Sequence, residues 1–139
     1  MLDLRPLTAA DYDAAIALWS ATEGMAISSA DSRPAIVRYL ARNPGMSFAA
    51  WEGSTLAGAV LCGHDGRRGY LHHLAVAPAF RRQGIATRLV EACLDALQQE
   101  GMEKCHLFIF ANNHAARAFW NRAGWQERAD IGIFSTPIK

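Results

Sequence analysis

The chain has no long apolar run, and neither sign of charge dominates it. The first absence leaves no segment of the roughly 20 residues that a membrane-spanning helix needs. The second, a formal net charge of +1 from 14 basic and 13 acidic residues, argues against a general nucleic-acid coat or a membrane-surface role. Cysteine is scarce: Cys62, Cys93 and Cys105 form an odd set with no paired spacing. They read as reduced, buried thiols in a cytoplasmic protein rather than a disulfide framework. A signal-peptide pattern is missing too, because Asp3 and Arg5 interrupt the apolar start. Without internal repeats or a linker, the 139 residues are expected to form a single domain, 1–139.

The composition is 51% hydrophobic and 19% charged, enough to bury a sizeable core. Leu2 to Arg5 alternates as a short strand. Thr8-x-x-Asp11 then opens a helix with Tyr12, Ile16, Leu18 and Trp19 on its apolar side. Glu23-Gly24 ends it. Asp31 or Ser32 caps a second helix, with Pro34 in its first turn and Ile36, Val37 and Leu40 facing inward. Ser47–Glu52 and Thr55–Gly63 read as a hairpin. A strand at Tyr70–Val76, a helix from near Gln83 to Gln99 and a strand at Lys104–Phe110 follow. A helix from Asn112 to about Arg122 comes next, and Gln126–Arg128 with Ile131–Ser135 suggests a closing hairpin.

The most informative stretch joins the fourth of these strands to the long helix. Pro78 breaks the strand ladder. From Gly84 onward Ala86, Leu89, Val90, Cys93, Leu94 and Leu97 fall at helical spacing. The join is Arg81-x-x-Gly84-x-Ala86, with two arginines and no acid. A helix start leaves N–H groups without partners and carries partial positive charge. Gly84 and Ala86 keep bulk away, and Arg81 and Arg82 add charge, so a diphosphate suits this turn. A solvated turn with two arginines has the same features, and the chemistry alone leaves both readings open. It is not a P-loop, lacking Gly-Lys-Ser/Thr, nor a dinucleotide fingerprint, which needs three glycines.

Leu74-Ala-Val-x-Pro-x-Phe-Arg-Arg-Gln-Gly-Ile-Ala resembles the acetyl-CoA-binding motif of the GNAT superfamily of N-acetyltransferases, Arg/Gln-x-x-Gly-x-Gly/Ala. Asn113-x-x-Ala116-x-x-x-Trp120-x-x-x-Gly124-Trp125 resembles the superfamily's Asn-x-x-Ala-x-x-x-Tyr-x-x-x-Gly-Phe segment. The resemblance covers roughly residues 48 to 128 well and the first 45 only in layout. It implies an α/β (α+β) fold: a mixed, mostly antiparallel sheet of about seven strands, helices on both faces, splayed between the fourth and fifth strands. It implies acetyl-CoA as co-substrate, with backbone amides of Arg82, Gln83, Gly84, Ile85, Ala86 and Thr87 on the diphosphate and Arg81 beside them. Leu74 and Val76 would flank the pantetheine arm, the Leu74 N–H facing the acetyl oxygen. Asn113 and Trp120 complete the cofactor-binding set by motif.

For the proton of the incoming amine, strict alternation puts Tyr70, His72, Leu74 and Val76 on one face and His73 on the other. Arylalkylamine acetyltransferases of the superfamily carry a proton-relaying His two residues before the Leu-Ala-Val, where His72 stands. Other members place a Glu where Tyr70 stands. Imidazole titrates near neutrality, which suits a general base; a buried, hydrogen-bonded histidine is the plainer alternative. Trp120 departs from the family's Tyr, and indole is no useful acid, so the thiolate would leave unaided or Tyr70 would supply the proton. Glu23, near the loop between the first two helices, is a candidate to hold or deprotonate a cationic amine; a surface helix-end carboxylate is the plainer reading. Arg67 and Arg68 are either anion contacts or a solvated turn. His64, Asp65, His72 and His73 fit no metal-ligand spacing, and no metal is expected.

The expectation is a cytoplasmic acetyltransferase, monomer or homodimer, with no nucleic-acid or membrane partner. It would pass an acetyl group from acetyl-CoA to the primary amine of a small metabolite or amino-acid-like acceptor by direct attack in a ternary complex. The alternatives are a protein N-terminal or lysine acetyltransferase and a non-catalytic acetyl-CoA sensor, the last suggested by Trp120.

Overall fold

The computed structural model describes residues 1–138, which gather into two compact units, the first ending at Phe108 and the second starting at Ile109. In the first unit the elements run β1 (Leu2–Pro6), α1 (Tyr12–Ala21), α2 (Arg33–Arg42), β2 (Phe48–Glu52), β3 (Thr55–His64), β4 (Gly69–Val76), α3 (Ile85–Gln99) and β5 (Cys105–Leu107). Short 3-10 turns at Ala9–Asp11, Ser29–Asp31 and Pro78–Phe80 precede α1, α2 and α3. The second unit contains α4 (His114–Arg122).

The sheet order follows the chain, β1-β2-β3-β4-β5, antiparallel except for the parallel pair β4–β5. That last pair is short. Gly69, Tyr70 and Leu71 pair with Cys105, His106 and Leu107, and from His72 on β4 has no strand neighbour on that side among the described residues. The expected splay between the fourth and fifth strands is this divergence, and it explains why β5 is shorter than the expected 104–110.

Helices cover both faces. On one, Leu7, Ala15, Trp19 and Ile36 pack with Ala49, Trp51, Ala59, Leu61 and Ala75 in a continuous core under α1 and α2. On the other, α3 buries Ile85, Leu89, Val90, Cys93 and Leu97, one stripe at helical spacing. Each fully buried side chain of this size contributes about 1.5–3 kcal/mol. The approach is close: a Cβ on Gly69 would lie 2.6 Å from Leu97 Cδ1. The first helix starts where expected. Asp11 accepts the Thr8 N–H at 2.9 Å, first closing a 3-10 turn. Of the two candidate caps for α2 it is Ser32 that serves, its Oγ accepting the Ala35 N–H at 3.3 Å.

Four expectations are corrected. Among the described residues the strands number five rather than about seven, because Gln126–Arg128 and Ile131–Ser135 form no hairpin. Gln126–Arg128 has no apolar side chain to bury, and the Arg128 guanidinium instead forks onto Asp130, both bonds at 3.0 Å. Val37 is 40% exposed, because α2 turns Ile36, not its neighbour, into the core. Cys105 is half-buried at the sheet edge, whereas Cys62 and Cys93 are buried as expected. Strict alternation along β4 also fails, with consequences for the site.

Candidate active site

In β4, Ala75 pairs with Ala59 and His72 with Leu61, so His73 and Leu74 together oppose Val60. This is a β-bulge, one extra residue on β4. His73 carries it at φ 56, a left-handed conformation in which histidine is among the more tolerated L residues. The extra residue reverses the side-chain phase. Before the bulge, Tyr70 opposes Gly63, whose Cβ would point at Tyr39 and Asn43 of the α2 side. After it, Val76 opposes Gly58, whose Cβ would point at Ile85 and Leu89 of α3.

The expected face is therefore half right. Tyr70 and His72 share the α1/α2 face, but Leu74 and Val76 lie on the α3 face, and His73 joins His72 instead of opposing it. The His72 ring stands edge-on to Tyr39, centroids 6.2 Å apart. Burial holds the His72 pKa below its ordinary value; His73 adds to that and Asp31 opposes it. Its imidazole is thereby favoured as the neutral base form near neutral pH. His73 Nε2 lies 2.8 Å from Asp31 Oδ1, and its ring packs 5.3 Å from that of Trp19. Tyr70 stacks on Phe108 at 6.1 Å.

After Pro78–Phe80 the chain turns through Arg82 at φ 65 and Gly84 at φ 76 before α3 begins. The two left-handed residues mark a tight turn that leads directly into the helix start. Gly84 is the N-cap of α3, no side chain caps the helix, and no acid occupies its first turn. A Cβ on Gly84 would meet nothing within 4 Å, so the space is open. Arg82, Gln83, Gly84 and Thr87 are exposed, Ala86 is half-buried, and Ile85 is anchored in the core. Arg81 Nε donates to the Val76 carbonyl at 3.1 Å, bracing the turn against the end of β4. A helix start left open, basic and free of side chains fits a diphosphate. The unpaired β4 edge beside it fits an extended arm.

The remaining candidates are dispersed. Glu23 is exposed just past the end of α1. Arg67 is exposed in the turn before β4, where the Asp65 carboxylate accepts the N–H groups of Arg67 and Arg68, both at 2.8 Å. In the second unit Asn113 caps α4, its Oδ1 accepting the Ala116 N–H at 3.1 Å. Trp120 packs between Phe119 and Trp125, centroids 4.9 and 4.7 Å away. Among the described residues no group of His, Cys, Asp or Glu is arranged to hold a metal. Sequence reasoning missed two residues of the site. Tyr39 brings a buried hydroxyl without a partner among the described residues, its pKa pushed upward by burial first. Asp31, expected as a helix cap or in the loop bordering the acceptor site, unexpectedly reaches β4, where it meets His73. A buried acid in a polar loop, paired with a histidine forty-two positions on, leaves no local sequence signal.

Residues 12–125 match the model of the acetyltransferase (GNAT) family. Over 96 residues the chain is 35% identical to N-alpha-acetyltransferase 30 of Schizosaccharomyces pombe, a match covering 65% of this chain and 64% of that relative. The chain thus spans just under two thirds of that protein's length. The aminoglycoside 6'-N-acetyltransferase AAC(6')-Ig of Acinetobacter haemolyticus superposes with a TM-score of 0.80 at 20% identity, over 99% of both chains. The PaiA N-acetyltransferase of Thermoplasma acidophilum, solved in complex with coenzyme A, gives 0.74 at 17% identity over 88% of each. At those identities the two structures speak for the fold, while the family model spans most of the sequence. The chain belongs to the GNAT family of acetyltransferases.

Proposed function

We propose that this protein transfers an acetyl group from acetyl-CoA to the primary amine of a small metabolite or amino-acid-like acceptor, by direct attack in a ternary complex. The observation that carries the reading is the uncapped, acid-free start of α3, with Gly84 in open space and Arg81 and Arg82 alongside. Backbone amides from Arg82 to Thr87 hold the diphosphate, and the β4 edge at Leu74 and Val76 receives the pantetheine arm. The coenzyme A held by the PaiA relative supports this assignment. The family match running from residue 12 to 125 supports reading both units as one acetyltransferase domain.

Acetyl-CoA supplies an activated thioester. The chain supplies position and a proton acceptor. The neutral imidazole of His72 takes the proton of the incoming ammonium, directly or through a water, and Tyr70 on the same face orients that water. The amine then attacks the thioester carbonyl, the C–N bond forms and the C–S bond breaks. The thiolate that departs takes up the second amine proton to give the amide and free coenzyme A, which needs no acid from Trp120. Glu23 is the alternative acceptor should His72 prove idle. A second reading, a polypeptide N-terminal amine as acceptor, is favoured by the 35% identity to N-alpha-acetyltransferase 30.

Calorimetry with acetyl-CoA should show binding that Gly84→Glu abolishes, since the variant places a charged side chain where the diphosphate lies. Coenzyme A release, followed with a panel of small amines and short peptides, should be fastest with small amines. Faster release with peptides selects the second reading. Binding of acetyl-CoA with no release for any amine would overturn both in favour of a sensor.

A further inference from the structure

We propose that Asp31 is a positioning residue for acyl transfer, its carboxylate fixing the β4 bulge through His73; the proposal rests on the acetyl-transfer reading above. Asp31 is buried, its side chain only 7% exposed. One carboxylate oxygen lies 2.8 Å from His73 Nε2, and the other accepts the Ser28 N–H at 3.0 Å. Its carbonyl accepts the Tyr12 hydroxyl at 2.6 Å. A single residue thus ties the start of α1, the turn before α2 and the middle of β4. A carboxylate withdrawn from water to this degree requires partners, and removing one is costly because the other is left stranded.

What the clamp holds is unusual backbone. His73 takes φ 56 without being glycine, and the bulge it carries has no strand on the β5 side. Nothing in a regular ladder keeps it there. The anchors are Asp31 at the ring nitrogen and Trp19, fully buried, against the ring face. If the bulge slipped out, the side chains on one side of it would change faces relative to the other. Leu74 and Val76 would no longer stand on the α3 face while Tyr70 and His72 stand on the α1/α2 face. That division is what separates the proposed thioester edge from the proposed proton acceptor. The hydrogen bonds of Asp31 run to α1, its own turn and β4, so the diphosphate turn is independent of it.

A glycine at position 73 distinguishes this role from plain stabilisation. Glycine adopts positive φ freely, so it needs no anchor to keep the bulge. Asp31→Ala should lower kcat about 10–100-fold at saturating substrates, the scale of a misplaced reacting pair. The dissociation constant for acetyl-CoA should stay within about twofold of wild type, because the diphosphate contacts at the helix start are untouched. Adding His73→Gly to Asp31→Ala should restore most of the lost kcat. A folded Asp31→Ala protein with wild-type kcat, or a loss that glycine leaves unchanged, overturns the proposal. Asp31→Asn, which keeps an acceptor but no charge, carries the same comparison if the alanine variant does not fold. Amide hydrogen exchange tests the clamp without turnover. Exchange at residues 72–75 should quicken in Asp31→Ala, stay unchanged in α3, and slow again with His73→Gly. If wild type turns over no amine, acetyl transfer fails while this exchange pattern still supports the clamp; wild-type exchange in the variant overturns the clamp itself.

Discussion

His72 and His73, neighbours in sequence, leave β4 on the same side of the sheet. A regular strand forbids this, and the bulge opposite Val60 permits it. One ring meets Tyr39 on α2, and the other meets Trp19 on α1 and Asp31 before α2. Two residues of one chemical type thus hold different positions, one pinned to a carboxylate and one not.

The unpinned ring makes stability depend on pH. Burial depresses the His72 pKa, so the folded state binds its proton later than the unfolded chain, whose imidazole titrates near pH ~6.5. The contribution is fully present above that value and is lost as pH falls toward the folded pKa. Denaturation midpoints measured over a pH series from about 7.5 to 5 should fall, and His72→Gln should flatten part of that slope. If His72 is also the proton acceptor, the acid limb of kcat/KM lies below about pH 6.5. His72→Ala should then lower kcat/KM roughly 10²–10⁴-fold with acetyl-CoA affinity spared. An unchanged rate profile in that variant would pass the role to Glu23.

Gly63 should tolerate no side chain. A Cβ there would lie 2.6 Å from the Tyr39 hydroxyl and equally close to the Asn43 amide. Asn43 Oδ1 accepts the His64 N–H at 3.0 Å, so pushing it aside also frees a backbone group. Gly63→Ala should cost about 1–3 kcal/mol by overpacking. Because Tyr39 packs on His72, kcat should fall as well. Urea denaturation and steady-state kinetics on the same preparation check both, and wild-type stability would show that α2 can shift freely.

Much of this arrangement is readable in the residues, and the exceptions share a cause. Pro78, the arginines and Gly84 announce a strand end, a basic turn and a helix start through local chemistry, and the α3 stripe announces itself by spacing. The faces of β4 depend instead on which residue of β3 lies opposite. That register depends on contacts distant in sequence, such as the one between Asp31 and His73, which no local pattern announces. The closing hairpin failed for a related reason: alternation at Ile131–Ser135 supplies a pattern but no neighbouring strand to receive it.

Ser47 offers a cleaner test of buried polarity. Only 1% exposed, its hydroxyl accepts the Cys62 N–H at 2.9 Å and donates to the Cys62 carbonyl at 3.3 Å. It stitches the start of β2 to β3 where the β2–β3 pairing has ended. Ser47→Ala strands both groups and should cost about 1–3 kcal/mol. Ser47→Thr keeps the hydroxyl, so any loss there reports crowding by the methyl. Thermal unfolding of the two variants should separate them, and equal stability of Ser47→Ala and wild type would mean that water replaces the hydroxyl.

The cysteines should be poor nucleophiles. The Cys93 pKa is driven far upward, chiefly by its hydrogen bond with Cys62 and then by burial. That of Cys105 is pushed up to about 12 by burial and by Cys62. Thiolate is the reactive form, and at pH 8 a thiol of that acidity is ionised to only about one part in 10⁴. Iodoacetamide should therefore label the folded protein slowly, Cys105 ahead of Cys62 and Cys93 because it alone is half-exposed. Denaturant should expose all three at once. The raised pKa values of Cys93 and Cys105 disfavour an acetyl-cysteine intermediate at either residue, since a thioester is attacked by thiolate. Intact mass measured after incubation with acetyl-CoA alone should match that of the untreated chain. A gain of one acetyl group on a cysteine would replace direct attack by a ping-pong route and remove the need for His72 to act on a ternary complex.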